Sequence, residues 1–424
     1  MVPDGTPKET AVSDSIEARL RSLIATDLSF VGIPGDYATH SLHPFPARFP
    51  PQIPALFIEG LTEPGETVLD PLVGSGTVLV EAIQRGRTGI GSDLDPLAVL
   101  ISSAKATPLD PDQVQSVYEE VMERAEKSAP PDVSDEKLRE FREYWFLPET
   151  ANDLAGLIAA IQPVADPAIR RFLQVVFSST IVAKSAGVSL ARDLAHSRPH
   201  RDRAKKVRPV RQEFERKFRK AREILESIFH SKGEAMIFRA DARNLPIRSN
   251  SVDLILTSPP YSSAVDYVRA HKFTLNWLGY GLDFLTRLRR TYLGAETIGE
   301  ETEPPPGASA DSVERVAKVD RRRSLHMARY FKDLQRVLGE CHRVLRPGRA
   351  IVWVVGSSRV RGVDVDTPRV VTELACSIGF RSVGSRERHL DRDKRVLPLG
   401  RSSRGEGIEA RVKTEAVIGL IKPA

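Results

Sequence analysis

The chain contains very little cysteine. Its 424 residues include only Cys341 and Cys376. Two thiols cannot build a disulfide framework or a four-cysteine zinc cluster, and their scarcity is typical of a reducing compartment. Both cysteines lie in helical patterns, so we expect both to be part of the core.

Long apolar runs are also missing. No stretch approaches about 18 uncharged apolar residues, so no membrane-spanning helix is predicted. The first fifteen residues are polar and lack the hydrophobic segment of an export signal. These absences disfavour secreted, membrane-embedded and structural-metal classes and predict a cytoplasmic protein. Hydrophobic residues make up 41% and charged residues 28%, which suffices for a globular core.

The net charge is small but unevenly distributed. Lys and Arg number 62 against 56 Asp and Glu, a net charge of +6. From Lys184 to Arg222, fourteen basic residues face four acidic ones, so 14 − 4 gives +10 in 39 residues and the remainder is net acidic. Such a segment is either a solvated surface or a surface that binds phosphates.

Strand and helix patterns divide the chain into four regions. Residues 1–17 are a polar tail, 18–111 begin an α/β pattern, 112–230 show helical periodicity, and 231–424 return to strands. We therefore expect a doubly wound α/β domain with a largely helical insertion. Strands are predicted at 67–70, 87–92, 235–238, 252–257, 349–355, 380–388 and 415–421.

Two further expectations concern the second half of the chain. A helix over 324–345 is expected to end at Pro347 and Gly348, because proline and glycine commonly follow helix ends. The segment 299–312 is acidic and rich in proline and small residues, which predicts a mobile loop.

A Gly-rich turn, residues 71–76 (PLVGSG), joins the strand predicted at 67–70 to a helix predicted to begin at Thr77. Its small residues let the backbone approach a ligand, and free N–H groups at a helix start attract polar or anionic groups. Asp93 ends the next strand, 23 residues after Asp70, where an acid accepts hydrogen bonds from ribose hydroxyls. A dinucleotide site fits poorly, since Leu79 stands where a third glycine is needed. The two acids favour an adenosine that carries a positive charge.

Two later strands end in polar residues that belong to the same edge. Asp241 follows the third strand, and the segment Thr257–Tyr261 (TSPPY) follows the fourth. Ligands of open α/β sheets bind outside the carboxyl ends of the strands, so these groups are expected to converge there. The two prolines hold the backbone rigid and present a serine, a carbonyl and an aromatic ring.

These motifs together resemble S-adenosylmethionine-dependent amino-methyltransferases of DNA, most of all the cytosine-N4 group, whose catalytic motif reads S-P-P-Y. The resemblance covers about 40–107 and 235–424. It implies a Rossmann-like class I methyltransferase sheet with a C-terminal antiparallel hairpin and S-adenosylmethionine as the cofactor. The cofactor-binding residues that it implies are His43, Pro44, Phe45, Ala47, Arg48, Phe49, Asp70, Pro71, Gly74, Ser75, Gly76, Thr77, Asp93, Asp95, Asp241 and Ala242.

The same resemblance assigns catalysis to Ser258, Pro259, Pro260 and Tyr261. Ser258 Oγ and the Pro259 carbonyl accept hydrogen bonds from the target amine, and Tyr261 stacks on a base taken out of the duplex. Methylation at carbon 5 of cytosine is excluded, because it needs a cysteine nucleophile and both cysteines are expected to lie in the core.

DNA is the expected partner, and the basic insertion is expected to contact it. The residues predicted to bind DNA are Arg192, His196, Arg198, His200, Lys205, Lys206, Arg208 and Arg211. A cognate restriction endonuclease is a second expected partner, and no metal site is predicted. Adenine-N6 methylation, methylation of tRNA or rRNA, and a catalytically inactive nucleic-acid-binding protein stay open as alternatives.

Overall fold

The computed structural model describes residues 15–46, 48–127, 135–183, 187–194, 199–260, 267–293, 302–390 and 414–424. Ala47, Tyr261, His196 and Arg198, all predicted site residues, lie outside these ranges, as does most of the predicted polar tail.

Helices in the described ranges are α1 Ile16–Ala25, α2 Gln52–Leu61, α3 Thr77–Gln84, α4 Pro96–Lys105, α5 Pro111–Lys127, α6 Glu136–Trp145, α7 Pro148–Ile161, α8 Pro167–Ile181, α9 Val210–Phe229, α10 Val268–Leu275, α11 Leu282–Thr291, α12 Ala308–Ala317, α13 Arg321–Val344 and α14 Thr367–Ile378. The strands are β1 Thr67–Asp70, β2 Thr88–Asp93, β3 Ala191–Arg192, β4 His200–Arg201, β5 Glu234–Arg239, β6 Val252–Thr257, β7 Leu345–Val355, β8 Ser358–Val360, β9 Val363–Val365, β10 Arg381–His389 and β11 Thr414–Ile421.

Seven strands form one mixed sheet in the order β5-β2-β1-β6-β7-β11-β10. The pairs from β5 to β7 are parallel, whereas β11 runs antiparallel to both β7 and β10. The predicted fold class, a class I methyltransferase sheet with a C-terminal antiparallel hairpin, is confirmed. The chain leaves β1 toward β2 on one side and returns to β6 on the other, so the crevice between β1 and β6 is the topological switch point.

Alternating residues of the central strands build the core on both faces of the sheet. In β7, Ile351, Trp353 and Val355 join the apolar cluster that contains α13, whereas Val352 and Val354 join the cluster that contains α1 and α2. This period of two is the pattern of a strand that is covered on both sides.

The segment between β2 and β5 is largely helical. Helices α5, α7, α8 and α9 share one apolar cluster with α4 and with α10, which follows the TSPPY segment. The insertion therefore packs on two helices that follow strands of the sheet edge: α4, which follows β2, and α10, which follows β6 and the TSPPY segment in the chain.

Three sequence expectations are wrong in part. Helix α13 ends at Val344, and Pro347 and Gly348 lie inside β7, where residues 346–349 bulge against β6. Residues 308–312 begin α12 instead of a loop, because Glu373 accepts a hydrogen bond from the first backbone N–H of that helix, that of Ala308 (2.8 Å). Cys341 is buried as expected, but Cys376 is exposed, since it lies beside the buried stripe of α14.

Asp253 links the start of β6 to both neighbouring strands. Its buried carboxylate accepts hydrogen bonds from the Thr67 backbone N–H (3.0 Å) and from Arg346, and it pairs with Arg349 at 3.2 Å. Hydrogen bonds to a charged group contribute about 1.5–3 kcal/mol.

We expect Asp253→Asn to lower the free energy of unfolding by about 2 kcal/mol, because the amide cannot balance two guanidinium groups. Chemical denaturation measures the change. Asp364→Asn is the control: this carboxylate is 82% exposed and pairs with Arg359 at 3.4 Å, so its loss should cost less than about 0.5 kcal/mol. Equal losses in the two variants would contradict the role of Asp253.

Candidate active site

The predicted acids and residues 257–260 lie at the carboxyl edge of the parallel strands. Asp70 ends β1, Asp93 ends β2, and Ser258 follows β6 directly. Asp241 lies two residues after the end of β5. Since β1 and β6 flank the switch point, Asp70 and Ser258 border the crevice in which such sheets bind ligands.

The Gly-rich turn adopts a backbone that requires glycine. Gly76 has φ +79° and precedes the first turn of α3, and a Cβ placed on it would lie 2.8 Å from the Cα of Ser102. Gly74 also has positive φ, at +46°. Ser92 Oγ donates to the Pro71 carbonyl (3.0 Å), and this bond ties the turn to β2. Ser75 Oγ and Thr77 Oγ1 lie 3.2 Å apart.

Asp70 connects the Gly-rich turn to the end of β6. Its Oδ1 accepts hydrogen bonds from Thr257 Oγ1 (2.8 Å) and from the Leu72 backbone N–H (3.1 Å). Thr257 directly precedes Ser258, so the position of the serine depends on this buried contact. Burial raises the pKa of Asp70 to about 7.

Asp93 holds the tip of the Gly-rich turn. Its Oδ2 accepts from the Gly74 backbone N–H (3.0 Å), and its Oδ1 accepts from the Asp95 backbone N–H (2.9 Å). Burial, followed by the charge of Asp95, raises the pKa of Asp93 to about 6. An ionised carboxylate has about four acceptor positions, so this one retains capacity for two ligand hydroxyls.

The side chain of Asp95 contacts α10, the helix that follows the TSPPY segment in the chain. Its Oδ1 caps α4 by accepting from the Leu97 backbone N–H (2.8 Å), and its Oδ2 accepts from Nδ1 of His271 on α10. Burial alone would raise the pKa of Asp95, but the charge and hydrogen bond of His271 lower it. The sequence analysis missed His271, because nothing in the sequence of α10 indicates a partner 176 residues away.

The segment from His43 to Phe49 contributes one side chain to the edge of the crevice. The Phe45 ring packs on Tyr267 at 5.4 Å between centroids and lies over Gly74. His43 is buried, with Nε2 2.8 Å from Ser178 Oγ, and Arg48 binds Asp36 and the His40 carbonyl. Pro44 is half-buried beside these residues, and Phe49 packs against the cluster of α1 and α2.

The carboxylate of Asp241 faces an arginine. Both of its oxygens accept hydrogen bonds from the Arg243 guanidinium at 2.7–3.1 Å, and Oδ1 also accepts from the Arg243 backbone N–H (2.9 Å). Burial would raise the pKa of Asp241, but these bonds lower it. Its acceptor positions are filled, so a contact to adenine requires this pair to open, whereas Ala242 is buried in the core.

The predicted catalytic turn, Ser258–Pro260, accepts a hydrogen bond from a residue that the sequence analysis missed. Tyr330, buried on α13, donates its hydroxyl to the Pro260 carbonyl (2.8 Å). Pro259 is buried and Ser258 half-buried, so the serine side of the turn is the more accessible one. The signal in the sequence is a lone tyrosine in the apolar stripe of α13, which also fits simple core packing.

The predicted DNA-binding residues lie on the insertion. Several of them have protein partners: Arg192 binds Asp202, His200 lies 3.5 Å from Asp193, Lys205 donates to the carbonyls of Ser189 and Ala191, Arg208 binds Glu213, and Arg211 binds Glu126. Lys206 is exposed.

Across the part of the chain that the structure describes, no group of His, Cys, Asp and Glu is arranged to hold a metal ion. In the same ranges, no helix combines the length and the apolar character needed to cross a membrane.

Comparison with known proteins identifies similar chains. Residues 28–104 match the family model described as DNA methylase. Type II methyltransferase M.MvaI from Kocuria varians is 24% identical over 389 residues, which cover 82% of this chain and 83% of that protein. Type II methyltransferase M.BsoBI from Geobacillus stearothermophilus is 21% identical over 381 residues, which cover 75% of this chain and 74% of that protein.

Among solved structures, a TehB-like SAM-dependent methyltransferase from Corynebacterium glutamicum is 9% identical, with 87% of this chain and 86% of that chain covered and a TM-score of 0.29. The family match and the Type II relatives confirm the resemblance to DNA amino-methyltransferases of the N4/N6 group.

Cofactor binding should weaken as the pH falls from 8 to 5, because Asp93 must lose its proton to accept two hydroxyl hydrogen bonds and its pKa is about 6. Asp93→Asn should reduce affinity at pH 8 by at least about tenfold and flatten this pH dependence. Calorimetric titration with S-adenosylmethionine measures both effects. Asp364→Asn serves as the control.

The pH dependence of folding stability tests the raised pKa of Asp93 independently of cofactor binding. The folded-state pKa of Asp93 lies above its unfolded value, so its contribution is full below about pH 4 and is lost as the pH rises through 6. Without cofactor, the wild-type protein should lose stability relative to Asp93→Asn over this range. Parallel pH profiles would show that the pKa of Asp93 is not raised in the folded protein.

Tyr330→Phe should lower kcat for methyl transfer about tenfold and leave cofactor affinity unchanged, since only the hydrogen bond to the Pro260 carbonyl is lost. Tyr118→Phe is the matched control, because Tyr118 is a buried ring stacked on Phe218 within the insertion. Equal kcat values in the two variants would show that Tyr330 only fills space.

Proposed function

We propose that this chain transfers a methyl group from S-adenosylmethionine to the N4 amine of cytosine in DNA. The observation that carries this proposal is the Ser258–Pro260 turn at the switch point, fixed at one end by the bond from Thr257 to Asp70 and at the other by Tyr330. A turn held at both ends keeps its serine and its carbonyl in one orientation toward the crevice.

The residues at the sheet edge suit the cofactor. Asp70 and Asp93 are carboxylates whose pKa is raised by burial, so a ligand that brings positive charge and hydroxyl donors is favoured there. The glycines of the turn leave its backbone open to a nucleoside, and Phe45 covers the turn. When bound, S-adenosylmethionine supplies an electrophilic methyl group on a sulfonium.

The chain's own task is to make the amine a better nucleophile and to orient it. The lone pair of the cytosine amine is delocalised into the ring, so the free amine reacts poorly. Hydrogen bonds accepted by Ser258 Oγ and by the Pro259 carbonyl favour a more tetrahedral nitrogen. Because the turn is fixed in advance, little reorganisation is needed when the amine reacts.

The target base has to leave the duplex before it reaches this turn. We propose that Tyr261 stacks on the extruded base. Serine at 258 supports cytosine as that base: it is a neutral acceptor, and the resemblance associates it with the cytosine-N4 group. Two relatives matched along most of the chain are named Type II methyltransferases, so we also propose site-specific methylation, with a cognate restriction endonuclease as partner.

Incubation of unmethylated DNA with the protein and S-adenosylmethionine, followed by mass spectrometry of nucleosides, tests the proposal. We expect N4-methylcytosine. Ser258→Ala should reduce its formation by about 10²-fold at unchanged cofactor affinity, because the lost bond acts in the transition state. N6-methyladenine would overturn the choice of base, and methylation of RNA alone would overturn the choice of nucleic acid.

A further inference from the structure

The basic insertion consists of two parts with different surroundings. The first is the basic hairpin, defined here as residues 187–194 and 199–208, which contains β3 and β4; the second is α9. The hairpin has six basic and two acidic residues, so 6 − 2 gives +4. Helix α9 has six basic and four acidic residues, so 6 − 4 gives +2.

The charges of α9 are largely neutralised within the protein. Arg211 pairs with Glu126, Arg216 with Glu213, Arg219 with Glu215 and Arg222 with Asp112. These pairs connect α9 to itself and to α5. An arginine already paired with a carboxylate gains less from a phosphate, because one interaction replaces the other.

The basic hairpin keeps accessible charge. Arg203 and Lys206 are exposed, and within the described ranges neither side chain makes an ion pair or a hydrogen bond. The guanidinium of Arg201 lies over the ring of Tyr144 at 4.3 Å, and no described carboxylate pairs with it. Tyr144 is 50% exposed, so this stacked pair stands at the surface. An arginine supported by a ring retains N–H groups of its planar guanidinium for an anion such as a phosphate.

The hairpin is connected to the catalytic segment by two contacts. The Leu190 backbone N–H donates to the Trp145 carbonyl at the end of α6 (2.8 Å). The Trp145 ring packs edge-on against Phe273 of α10, with centroids 4.8 Å apart. The same α10 carries His271, which binds Asp95. The hairpin and Tyr144 thus lie on the side of the insertion that packs against the active-site edge.

We propose that the basic hairpin, together with Tyr144, is the surface that holds the DNA backbone beside the catalytic turn, and that α9 does not contact DNA. Arg203 and Lys206 bind phosphates directly, as does Arg201, which Tyr144 positions. The inference rests on the proposed DNA methyltransferase function and names the surface that this function uses.

Salt-dependent binding to a non-specific duplex, measured by fluorescence anisotropy, tests it. In Arg203→Gln/Lys206→Gln, the slope of log affinity against log salt should become shallower by about 1.8, since each phosphate contact contributes about 0.9. The control, Arg219→Gln/Lys220→Gln, removes the same charge from exposed positions of α9 and should leave the slope unchanged. Equal changes in both variants, or a change only in the control, would overturn the inference.

The role of Tyr144 needs a double-mutant cycle. Tyr144→Leu and Arg201→Gln should each weaken binding about threefold, and the double variant should be no weaker than Arg201→Gln, because Tyr144 acts through Arg201. Additive losses would contradict this positioning role. If the wild-type protein methylates DNA but the hairpin variant keeps its slope, only this inference fails; if the wild-type protein neither methylates nor binds DNA, the proposed function fails.

Discussion

Two buried carboxylates, Asp70 and Asp95, join the cofactor side of the sheet edge to the catalytic side. Asp70 accepts a hydrogen bond from Thr257, just before Ser258, and Asp95 accepts one from His271, on the helix after the TSPPY segment. Asp70 also accepts a hydrogen bond from the Leu72 backbone N–H, so this one carboxylate contacts both the Gly-rich turn and the residue before Ser258. Under the proposed function, a ligand that shifts Asp70 would also shift Thr257 and the neighbouring Ser258, so we expect cofactor binding and base orientation to be coupled.

Local patterns predicted the parts of the fold and site that depend on local structure. Buried strands that end in a carboxylate, and a glycine turn before a helix, are encoded within a few residues, so Asp70, Asp93 and Ser258 were placed at the correct sheet edge. Partners distant in sequence were not predictable. Tyr330 lies 70 residues from Pro260, to which it donates a hydrogen bond. Arg243, which fills the acceptor positions of Asp241, also binds Asp333, 90 residues away. Propensity carries no information on such contacts, since they exist only after the helices pack.

The net charge of the basic insertion is larger than the charge that remains unpaired in the folded protein. The +10 between Lys184 and Arg222 counts neither the acids of α5 that pair with α9 nor the carbonyls that bind Lys205. A polyanion is attracted by charge that remains accessible, and in the hairpin Arg203 and Lys206 remain exposed. The insertion packs on α4 and α10, and Val188 and Ala191 of the hairpin belong to the same apolar cluster.

The separation of β2 from β5 has a consequence for synthesis of the chain. These strands are parallel neighbours in the sheet, yet about 140 residues lie between Asp93 and Glu234. At about 5–20 residues per second, a ribosome needs roughly 7–28 s to deliver β5 after β2 has emerged. During that time one edge of β2 has no strand to pair with, and β1 also waits for β6. Helix α4 and the insertion are made in the interval, so the helical cluster can assemble first and shield the nascent edge from aggregation or chaperone capture until the remaining strands arrive.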